Sequence, residues 1–156
     1  MSTYEQAMQV LSELFAKDYQ FSLATSQNDV PTLRVVDAFY DDGAFWIVTY
    51  DLSHKVQDIM KNQNVAMCSY LYSFSGRATN EGSPLKPENQ EIRSKLIKVF
   101  ESWYFAHNNE NDEHMCYVKV ELASGFFCKD GTAYKVDFEN KTANSFPFEP
   151  DVKVLN

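Results

Sequence analysis

At 156 residues, 44% of them hydrophobic and 15% aromatic, the chain is long enough for a single domain with a real core and too apolar to be disordered. Fourteen Lys and Arg against 22 Asp and Glu give a net charge of −8, which excludes nucleic acid as a main partner, because such binding needs a basic footprint. No apolar run approaches a membrane span, and three widely spaced cysteines behind an N-terminus without a signal-peptide pattern point to reduced thiols in the cytoplasm.

Apolar residues at Ala7, Val10, Leu11 and Leu14 predict an amphipathic helix over 3–17. Phe21 to Thr25 alternates large and small side chains as a strand, and Gln27-Asn28-Asp29 forms a turn. Thr32 to Tyr40 is the second strand, with Arg34, Val36, Ala38 and Tyr40 on one face and Leu33, Val35, Asp37 and Phe39 on the other. Asp41-Asp42-Gly43 stands between two apolar runs as a hairpin turn, followed by a strand from Ala44 to Tyr50. Ser53 to Asn62 reads as a short helix held down by Val56, Ile59 and Met60.

Val65 to Thr79 reads as one long strand, bent near Ser73 to Gly76. After a loop from Glu81 to Pro87, a stripe of Ile92, Leu96, Val99, Phe100 and Trp103 predicts a long helix from Pro87 to His107. The Trp103 stripe is read as core or dimer packing. Met115 to Cys128 is another long strand, interrupted at Ser124-Gly125, and Lys129-Asp130-Gly131 turns it into Thr132 to Phe138. The tail beyond Asn144 is ordered only if Phe146 and Phe148 dock.

About six strands that follow one another without regular crossover helices predict a mainly β fold, a six-stranded antiparallel split β-barrel with helices over its gaps. There is no Gly-x-Gly-x-x-Gly turn and no Walker-type loop, so neither dinucleotide nor triphosphate binding of those kinds is expected. His54, His107 and His114 lack metal-ligand spacing, and no Ser occupies a nucleophile elbow.

One stretch concentrates anion-binding chemistry. The hairpin from Arg34 to Thr49 and the helix start at Ser53 bring Arg34, Thr49, Ser53 and Lys55 towards one end. Ser is a preferred N-cap, and the amide groups behind it are donors for an anion. With Arg34 and Lys55 added, a phosphate is the simplest tenant, and Val36, Trp46 and Val48 offer flat or apolar walls for a ring carrying it. Flavin mononucleotide and pyridoxal phosphate both match.

The ordered pieces Phe21-Ser-Leu-Ala-Thr25, Arg34-Val35-Val36, Trp46-Ile47-Val48-Thr49, Ser53-His54-Lys55, Asn64-Val65-Ala66 and Phe74-Ser-Gly-Arg-Ala78 resemble the pyridoxamine 5′-phosphate oxidase-like family. The resemblance implies an FMN-binding split barrel that forms a homodimer with FMN at the subunit interface. It implies that Arg34 and Lys55 hold the FMN phosphate with Ser53, that Val35, Val36 and Asp37 pass along the ring, and that Trp46 to Thr49 supply further contacts; His54, where relatives often carry an Arg beside that Lys, is a candidate phosphate partner or a surface residue. It also implies that Ser69, Tyr70 and Phe127 reach the flavin from the second subunit. The ending FPFEPDVKVLN carries no Arg or His of the kind that grips substrate in true pyridoxamine phosphate oxidases, and the chain looks more like the general stress protein branch. A flavin-dependent oxidoreductase, with a small-molecule substrate or NAD(P)H as electron donor, is the activity implied. A flavin-binding sensor without turnover is the alternative, and a haem-binding barrel is a more remote one.

Overall fold

The computed structural model describes residues 1–150. Its elements are α1 (Thr3–Phe15), β1 (Tyr19–Gln27), β2 (Val30–Asp41), β3 (Ala44–Tyr50), α2 (His54–Lys61), β4 (Asn64–Ser69), β5 (Tyr72–Gly82), α3 (Gln90–Val99), α4 (Tyr104–His107), β6 (Met115–Lys129), β7 (Thr132–Asp137) and β8 (Thr142–Pro147). Helix α1 begins in a full capping box: Ser2 Oγ accepts from Glu5 N–H at 3.1 Å, and Ser2 N–H donates to the Glu5 carboxylate at 3.0 Å.

All strand pairings are antiparallel, in the order β3-β2-β1-β4-β5-β6-β7-β8. Strand β3 also pairs with β6, Ile47 opposite Val118, so six strands close into a barrel and β7 and β8 extend from it as a ribbon. Three two-residue hairpin turns hold both of their residues in the left-handed region, at Asn28-Asp29, Asp42-Gly43 and Asp130-Gly131. The last two were marked by their Asp-Gly pairs.

Inward alternation fills the barrel. Phe15 of α1 meets Phe21 (ring centroids 5.3 Å apart), Phe45 (5.7 Å) and Phe74 (5.7 Å), all fully or almost fully buried. Val36, Ala38 and Tyr40 of β2 face this core, as the strand pattern requires. The opposite faces of β2, β3 and β6 build a second apolar cluster, in which Phe39 and Tyr117 pack with Leu96, Phe100 and Tyr104 of the helical excursion, and Trp46 and Val48 border it.

Two expectations change, and the conditional one for the tail is met. Residues 65–79 are not one bent strand but the β4–β5 hairpin, turning at Tyr70 with φ 55°. An aromatic residue in the left-handed region gives no composition signal; the register of both strands on the barrel imposes it. The helix expected over 87–107 is a 3-10 turn at Pro87–Asn89, then α3, a break over 100–103, and α4. The break lets Trp103 and Tyr104 satisfy separate polar partners, Asp18 and Tyr117. The tail docks: β8 pairs with β7, and Phe126 takes Phe146 and Phe148 at 6.3 and 5.4 Å. Its remainder, residues 151–156, lies outside the described residues. Among the described residues no helix is long and apolar enough to cross a membrane.

Candidate functional site

Strand β2 and helix α2 carry the basic residues to one region. Arg34 points into a polar knot rather than into open solvent. Its guanidinium donates to Thr25 Oγ1 at 2.6 Å, to Leu23 O at 3.3 Å and to Thr32 Oγ1. Asp58 of α2, 1% exposed, accepts from Thr25 at 2.7 Å and from Thr32 at 2.9 Å. The Arg34 guanidinium stands 3.9 Å from the Asp58 carboxylate, and His54 Nε2 lies 3.3 Å from its other oxygen. Burial alone would raise the Asp58 carboxyl, but the two threonine hydroxyls, His54 and Arg34 outweigh it and hold the group below its ordinary range.

Lys55 is placed differently. It lines a pocket of about 180 Å³ with Val35, Val36, Asp37, Ile47, Val48 and Trp103. Burial pulls its ammonium below the usual lysine value, and the nearby Arg34 charge pulls it further. Among the described residues it makes no hydrogen bond and no ion pair. A half-buried cation beside a second cation is a seat for an anion. The start of α2 adds donors: Ser53 stands at the N-cap, but its hydroxyl donates to Tyr50 O at 2.7 Å and makes no capping bond to the helix. A phosphate fits this donor set. On the same pocket burial, and then the neighbouring Asp18 carboxylate, raise the Asp37 carboxyl above its ordinary value. The Cys116 thiol, opposite Thr49 in the β3–β6 ladder, is pushed by burial up to about 12 and is no nucleophile at neutral pH.

The sequence-predicted residues therefore divide. Val35, Val36, Asp37, Ile47, Val48 and Lys55 share one pocket. Arg34 and His54 flank it through the Asp58 knot. Thr49 is 6% exposed, next to the pocket along β3. Trp46 shares its face of β3 with Val48 but does not line this pocket; its ring lies 5.7 Å from Lys119 Nζ, against the second apolar cluster. Ser69 and Tyr70 lie at the β4–β5 turn, with Tyr70 66% exposed. Phe127, expected to face the flavin of a second subunit, has its side chain fully buried in the barrel between Phe74 and Tyr134, at 6.1 and 5.6 Å. Two site residues escaped sequence reasoning. Asp58 resembles any polar helix residue until Thr25 and Thr32 fold over it, and Trp103 sits in a stripe that reads as core.

No protein-family model matches the sequence, and no curated protein matches it. Solved structures match its fold. A NimC/NimA family protein from Clostridium acetobutylicum superposes with a TM-score of 0.60 at 17% identity, over 93% of this chain and 96% of that one. General Stress Protein 26 from Bacillus anthracis gives a TM-score of 0.58 at 18% identity, over 78% and 92%. A pyridoxamine 5′-phosphate oxidase-related, FMN-binding protein from Nostoc punctiforme gives 0.56 at 12% identity, over 96% and 98%. The chain has the split-barrel fold of these pyridoxamine 5′-phosphate oxidase-like proteins.

Proposed function

We propose that the chain binds a flavin nucleotide, FMN, and acts as a flavin-dependent oxidoreductase. The observation that carries the reading is Lys55, a half-buried ammonium without a counter-charge among the described residues, beside Arg34 and the start of α2. The FMN-binding protein of the same fold from Nostoc punctiforme supports the choice of ligand.

When bound, the flavin ring supplies the redox chemistry, and the chain's residues supply grip and orientation. Lys55, Arg34 and the α2 amides hold the phosphate. Val35, Val36, Ile47 and Val48 offer the ring an apolar wall. A charged hydrogen bond is worth about 1.5–3 kcal/mol, so two or three such contacts account for tight binding.

The pocket, about 180 Å³, falls short of the roughly 300–1,000 Å³ of ligand sites, so one chain does not enclose a flavin. A homodimer supplies the missing side. Val30, Leu33 and Val35 stand 61%, 69% and 65% exposed along β2, an apolar edge suited to a second copy that would bring its Ser69 and Tyr70 towards the ring. The electron donor in this reading is NAD(P)H or a small-molecule substrate.

The test is the visible absorbance spectrum of the purified protein, before and after denaturation. A two-banded yellow spectrum with FMN released on unfolding is the expected result. A protein that stays colourless after incubation with FMN overturns the reading. Bleaching of the bound flavin by NAD(P)H then separates an oxidoreductase from a flavin binder without turnover.

A further inference from the structure

The helical excursion between β5 and β6 reaches the pocket through one residue. Trp103 stands in the break between α3 and α4 and lines the cavity that holds Lys55 and Asp37. Its ring is fixed from two directions. The indole N–H donates to Asp18 Oδ2 at 2.9 Å, in the connection from α1 to β1, and the ring lies against Phe100, centroids 4.6 Å apart at 32°. A tryptophan serving only as core would be enclosed on all sides. This one is partly exposed and borders the same space as the four aliphatic pocket residues. The Asp18 carboxylate is also near enough to Asp37 to raise it, so the residue that holds the indole of the excursion neighbours the pocket-facing side of β2.

We propose that Trp103 is the aromatic wall of the flavin pocket, with Asp18 as its positioning residue. The inference rests on the flavin reading and deepens it: a flat, electron-poor heteroaromatic ring entering beside Val35 and Val48 meets the electron-rich indole. The break in the helix is what delivers it. A continuous helix would carry Trp103 and Tyr104 about 100° apart on one rigid rod, whereas the break lets Tyr104 remain in the second core while Trp103 turns to Asp18 and the cavity.

The test uses the full chain with FMN as probe, reading affinity by equilibrium dialysis and the emission of the bound flavin separately. Indole in contact with a flavin quenches its fluorescence. The expected result is quenched flavin in the wild type and in Trp46→Phe. Trp103→Phe should show emission recovered several-fold and affinity reduced about tenfold. Asp18→Asn, which leaves the indole in place, should show a smaller recovery. Should Trp103→Phe fail to fold, Trp46→Phe carries the test alone: Trp103 is then the sole tryptophan, and its excited-state lifetime should fall to picoseconds on FMN binding. Wild-type binding with unchanged quenching and affinity in Trp103→Phe, or a nanosecond Trp103 lifetime in the complex, overturns this inference and leaves the flavin reading standing. Absence of FMN binding by the wild type overturns both.

Discussion

Arg34 and Asp58 share a hydroxyl: Thr32 Oγ1 accepts from the Arg34 guanidinium and donates to the Asp58 carboxylate at 2.9 Å. The two charges therefore compensate each other through a threonine, within a knot that also takes in Thr25 and His54. Arg34 is held in place by this arrangement, and Lys55 is left as the cation without a balancing carboxylate among the described residues.

Asp58 should govern the acid limb of stability. Its folded value lies below the ordinary one of 3.8, so the stabilisation it gives is fully present above that pH and fades as pH falls through the folded value. Asp58→Asn should lower the urea midpoint at neutral pH and flatten its fall in acid. Equal slopes for the variant and wild type below pH 3.8 would remove Asp58 from this role.

Lys55 should show opposite effects on binding and stability. Lys55→Ala should weaken FMN binding at least tenfold, about 1.4 kcal/mol, with the fold intact, as read by titration. Because burial and Arg34 depress the Lys55 ammonium, its charge works against the folded, ligand-free chain at neutral pH. Lys55→Met should then raise the melting temperature of the ligand-free protein by roughly 1–3 °C while losing FMN. A fall in melting temperature would mean that the ammonium has a stabilising partner.

The Asp18–Asp37 pair predicts a pH effect of the other sign. Asp37 is raised above 3.8, by burial and then by Asp18, with Gln20 partly opposing and Lys55 on the same pocket. The folded chain thus holds a proton that the unfolded chain has released, and stability falls as pH rises from 3.8 through the raised value. Asp37→Asn should abolish that decline and stabilise by a few tenths of a kcal/mol at neutral pH. Chemical denaturation at several pH values between 4 and neutrality, about the range where a raised carboxyl titrates, reads it.

Tyr104 and Tyr117 meet hydroxyl to hydroxyl at 2.5 Å in the second core, and Glu110 accepts from Tyr104 at 3.0 Å while bound at 2.6 and 2.7 Å by Arg93. Burial pushes the Tyr117 phenol up to about 12 and Tyr104 still higher. Tyr117→Phe should cost about 1–2 kcal/mol by stripping Tyr104 of a partner, measured by denaturant unfolding. In the wild type, absorbance titration should show these two phenols ionising only as the chain unfolds in alkali.

Much of the barrel was legible because its signals are local. Alternation of side chains set the faces of β2 and β3, and the Asp-Gly pairs at residues 42–43 and 130–131 fixed two hairpins. The turn at Tyr70, the break before Tyr104 and strand β8 were not legible, because each is imposed by partners far along the chain: the barrel register, the Tyr117 and Asp18 hydrogen bonds, and the ring of Phe126. The site divides the same way. Arg34 and Lys55 could be placed near each other from a hairpin and a helix start. Asp58 and Trp103 acquire their setting only once Thr25, Thr32 and Asp18 have closed around them.

The seam between β3 and β6 has a kinetic consequence. Every other pairing of the sheet except β1–β4 joins strands adjacent in the chain, several through two-residue turns that form on the microsecond scale. Residues 44–50 must instead find residues 115–121 across the whole of α2, the β4–β5 hairpin and the helical excursion. Closure of so long a loop loses the most chain entropy, so the barrel shuts late in folding. Because Ile47 and Val48 both lie on that seam and line the pocket, the pocket wall is completed only when the barrel is.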